Sequence, residues 1–256
     1  MLRAYLHLDH ARARDLLFQI SREPSAHQAQ LIYLCACLRD FLDGRLLGEL
    51  VPQAEASRER AWALYNDVCD HASVAWRELR EECVNLPCAE IPEGKKEAIK
   101  DLAHMIYSAA LQLHFASGAD DLKGRNGGHS VNPVASDSQR RFLSNAAVAI
   151  GHLADAGLTT AAQHLVELLQ AYIDINPKLV FLMVGRIVKS SLGDGYHHES
   201  LGASVIVRIV ERYLADYRDV LREYEDCQQV LIGLLDAFVN WPEARKLAYR
   251  LGEVFR

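Results

Sequence analysis

Apolar residues recur three and four positions apart along almost the whole chain, and strand-like alternation is nearly absent. At 3.6 residues per turn that spacing gathers apolar side chains on one flank of a helix, leaving each helix with one face to bury. The pattern predicts helices over 2–20, 25–43, 56–85, 93–117, 138–155, 160–175, 178–191, 199–223, 226–239 and 242–255, about ten in an all-α chain.

Residues with special backbone chemistry punctuate this pattern. Thr160 precedes Gln163 by three positions, and Ser136 precedes Gln139 likewise, so each pair predicts a capping box at a helix start. Pro92, Pro177 and Pro242 fall where helices begin, where the missing N–H of proline costs nothing. Asn176-Pro177 and Trp241-Pro242 therefore read as tight corners. The longest irregular run, 118–135, holds Gly118, Gly124, Gly127, Gly128 and Pro133 and is expected to be a loop or linker. It divides a helical part over 1–117 from a repeat-like part over 136–256.

In the second part, Leu165, Val166, Leu169, Tyr172 and Ile173 form one apolar face. Val180, Phe181, Val184, Ile187 and Val188 form the next, across the Asn176-Pro177 corner. Two such helices make an αα-hairpin, which cannot bury its own face and must stack on another. On 199–223, Ile206, Ile209, Val210, Tyr213, Leu214, Tyr217, Val220 and Leu221 cover so wide an arc that this helix is expected to pack on two neighbours and to be central. The expected architecture is stacked antiparallel hairpins, either α-solenoid-like or an irregular bundle.

The stretch HLVELLQAYIDINPKLVFLMVGRIV resembles a HEAT-type repeat in its Asn-Pro corner, and FVNWPEARKLAYRLGEVFR is similar to the hairpins of tetratricopeptide-like arrays. The last hundred or so residues resemble the helical C-terminal regions of large bacterial STAND-type ATPases, through an aromatic-Pro-Glu-Ala corner and a final short helix. The resemblance implies binding or sensing, in a bacterial defence setting, and carries over no catalytic residue. No GxxxxGK[ST] phosphate loop is present. The chain starts within an apparent helix at Leu2 and finishes at Phe255-Arg256, ends expected of a piece of a longer protein.

Composition narrows the classes further. Half of the 256 residues are hydrophobic, enough for a core without disulfide or metal staples. The 28 basic against 34 acidic residues give a net charge of −6, which argues against a dominant nucleic-acid surface and leaves only local patches. Cys35, Cys37, Cys69, Cys83, Cys88 and Cys227 lie in or beside apolar stretches and read as reduced thiols acting as small hydrophobes. Arg, Asp or His interrupts every short apolar run at the N-terminus, so a secretory signal is not expected. With no long apolar run for a membrane span, the expectation is a cytoplasmic protein.

Candidate chemistry is sparse. His197 and His198, beside Asp194 and Glu199, have metal-ligand chemistry. Consecutive positions on a helix diverge by about 100°, however, which favours a turn over a metal site. Arg22 and His27 fit the Arg-x4-His spacing of HEPN-type ribonucleases, but Pro24 breaks the helix that would hold them. Lys123, Arg125 and His129 lie in a glycine-rich basic stretch that lacks the strand preceding a phosphate loop. Alternating charges at Arg208, Glu211, Arg212, Asp216, Arg218, Asp219 and Arg222 read as a solvated face or a docking surface.

The expected function is therefore a non-catalytic helical interaction module, with another protein or subunit as partner and self-association open, and with no cofactor or metal implied. Tyr196, Arg212, Tyr213, Tyr217, Trp241 and Arg245 are its candidate anchors, since Arg and aromatic residues dominate binding hot spots. The enzyme alternative is a small all-α ribonuclease using Arg22 with His27, or a metal-dependent hydrolase using His197 with His198.

Overall fold

The computed structural model describes residues 54–87, 89–119, 137–191, 203–238 and 245–246. These are 87% helical and contain no strand. Eight helices are described: α1 (Ala54–Cys83), α2 (Glu93–Ser117), α3 (Asp137–Asp155), α4 (Thr159–Ala171), α5 (Pro177–Ser191), α6 (Ala203–Asp216), α7 (Arg218–Glu223) and α8 (Glu225–Ala237). The helices expected over 2–20 and 25–43 lie outside the described residues, as does that over 242–255 apart from 245–246, which are helical.

The apolar faces read from the sequence are the faces that are buried. Leu165, Val166, Leu169 and Ile173 are inaccessible, and so are Val180, Phe181, Val184, Ile206, Ile209 and Leu214. One hydrophobic cluster runs from Ala61 to Phe238, so helices on both sides of the 118–135 segment share a core. The packing follows a regular order: α1 meets α2 and α3, α2 meets α3 and α4, α3 meets α4 and α5, and α4 meets α5 and α6. Past that point α5 meets α8, and α7 bridges α6 and α8.

Several expectations require correction. The Thr160/Gln163 capping box does not form: the N-cap residue is Leu158, which makes no side-chain cap, and Gln163 Nε2 donates instead to Glu167 Oε1 at 3.2 Å. The next helix carries the side-chain cap, where Asn176 Oδ1 accepts from the Leu179 N–H at 3.1 Å. Pro177 opens α5 as expected, whereas Pro92 stands one residue before Glu93 and lends its carbonyl to Lys95 and Lys96. The element expected over 199–223 is two helices, broken where Tyr217 leaves helical geometry at φ −126°, ψ 34°. The break lets its hydroxyl reach Asp174 and turns α7 toward α8.

The two neighbours expected of α6 are found, but the central position differs: α3 and α4 each pack on four other described helices. Helix α6 packs on α4 and α7, while α5 lies against α3, α4 and α8 and stacks Phe181 on Tyr213 of α6 at 4.3 Å between ring centroids. Gly185 permits this crowding, because a Cβ there would sit 2.6 Å from Val230 Cγ1 of α8.

Candidate functional site

Three candidate anchors, Arg212, Tyr213 and Tyr217, converge on the α4–α5 corner. One turn of helix separates the first two from the third, so α6 presents them together. Arg212 Nη2 donates to Asp174 Oδ1 at 2.6 Å and to Oδ2 at 2.8 Å, and Arg212 Nε lies 3.8 Å from Asp216 Oδ2. The Tyr217 hydroxyl also donates to Asp174 Oδ1. Burial first, and then the hydrogen bond to Asp174, pushes the Tyr217 phenol up, so it stays a neutral donor. Tyr213 donates to the Pro177 carbonyl at 2.5 Å with its ring fully enclosed, and burial raises its phenol further. Tyr213 is thus a core residue, and the surface it was expected to offer belongs to Arg212 and Tyr217, which are partly exposed.

Beside this cluster, Lys178 Nζ sits 3.8 Å from the Tyr224 ring centroid and 3.3 Å from Asp226 Oδ2. Arg245 is exposed on the short helical stretch 245–246. Tyr196 and Trp241 lie outside the described residues, as do Arg22, His27, His197, His198 and the stretch around Lys123. Of the cysteines, Cys69, Cys83 and Cys227 are buried. Burial pushes the Cys227 thiol up to about 11, which suits a small hydrophobe and not a nucleophile.

Two features escaped the sequence reading. The first is an imidazole pair between α2 and α4. His114 Nδ1 donates to the His164 carbonyl at 3.3 Å, the two rings lie 5.9 Å apart, and Tyr107 flanks His164 at 5.3 Å. Burial, and then His114, lowers the His164 pKa below its ordinary 6.5. No group of three metal-ligating side chains occurs among the described residues.

The second is a cleft of about 420 Å³ where the C-terminal ends of α1, α3 and α5 meet. Trp76 lines it, with the indole N–H fixed to the Ala156 carbonyl at 2.8 Å. Arg80 Cζ lies 5.7 Å from the centre of that ring, and Arg77 donates to the Ser73 carbonyl at 3.4 Å. At one wall Arg186 grips both oxygens of Asp155, at 2.8 and 2.6 Å. A Trp followed by Arg at the next and fourth positions is the only sequence signal this cleft leaves, and it does not reveal that three helix ends converge there.

Comparison with protein-family models, with curated proteins and with solved structures gave no match. No helix among the described residues is long and apolar enough to cross a membrane.

Proposed function

We propose that the chain is a non-catalytic helical interaction module: stacked hairpins that act as a scaffold, sensor or regulatory subunit in a larger protein assembly. The observation that carries this reading is the packing order, in which α1 to α4 each touch the next helix and the next but one. Stacking of that kind buries a continuous core and leaves outer helix faces for a partner. On one such face Arg208 and Glu211 are exposed beside Arg212 and Tyr217, which Asp174 already holds in place. Side chains fixed before binding lose less freedom on binding, and Arg and Tyr are favoured anchors. The resemblance to STAND-type helical regions points the same way, toward sensing or docking in a bacterial defence assembly.

A photo-crosslinking residue in place of Arg208, in the full chain expressed in its native host, tests the reading. One protein should be captured at near-stoichiometric amount, and Arg212→Glu with Tyr217→Ala should abolish its capture. A smear without a dominant species, or capture indifferent to the double substitution, would refute it.

A further inference from the structure

We draw no further inference here: the strongest candidate, the exposed apolar turn of Val84 and Leu86 that follows α1 at the edge of the Trp76 cleft, carries none because nothing in the structure shows what covers it.

Discussion

At the α3–α4 turn the chain is closed by backbone geometry, whereas at the α4–α5 turn it is closed by side chains. Gly157 takes the left-handed conformation at φ 67°, and a Cβ there would stand 2.6 Å from the Ser190 carbonyl oxygen of α5. No other residue type fits both the dihedral and the space. The α4–α5 turn uses no positive φ; Asn176 caps α5, while Asp174 binds Arg212 and Tyr217 from α6 and the residue after it. In both places an aromatic side chain donates to a main-chain carbonyl, Trp76 to Ala156 and Tyr213 to Pro177. Tyr172 does the same for Ser117 at the end of α2, where a terminal carbonyl has no intrahelical donor. A turn shut by backbone leaves room for a cleft beside it; a turn shut by charged side chains fixes those side chains at the surface.

The sharpest way to break the comparison is Gly157→Ala, which combines left-handed strain with a clash and should cost about 3 kcal/mol in chemical denaturation. Next comes Asp174→Ala, which removes the acceptor shared by Arg212 and Tyr217 and should cost about 2 kcal/mol by the same measurement. If the second loss exceeded the first, the α4–α5 turn would be the more constrained of the two. Trp76→Phe puts a smaller phenyl ring in place of the indole and strands the Ala156 carbonyl, and a loss of about 1.5 kcal/mol is expected in thermal melts.

The smallest effect is a pH dependence at the α2–α4 contact. His164 has its pKa lowered by burial and by His114, so the unfolded chain binds the extra proton more readily than the folded one. Its contribution to stability is complete above pH 6.5 and declines as pH falls through the lower folded value. Melting curves from pH 7.5 down to 5 should show this decline, and His164→Gln should flatten it.

Much of the fold was legible because helix periodicity is a local property. The starts of α2, α3, α4 and α5 fall within two residues of expectation, and the apolar stripes of α4, α5 and α6 are those found buried. The misses share a cause. Thr160 has the right spacing for a capping box, but Leu158 is the residue that enters the helix. Tyr217 continues the apolar period of α6, yet a partner 43 positions away in sequence draws it out of the helix. Tyr213 has the chemistry of a surface anchor and is fully enclosed, because α5 brings Phe181 against it.

The sequence by itself determined that these segments are helices, which flank of each is greasy, and that Asn176-Pro177 is a corner; all three depend on residues within a few positions of one another. Only the tertiary structure decided that α3 and α4, and not α6, lie at the centre of the described helices. It alone brought Asp174 to Arg212 and Tyr217, and gathered three helix ends around Trp76. These pairings join residues 31 to 80 positions apart. Periodicity fixes the side of a helix that must be covered, while the helix that covers it is chosen by packing among all of them.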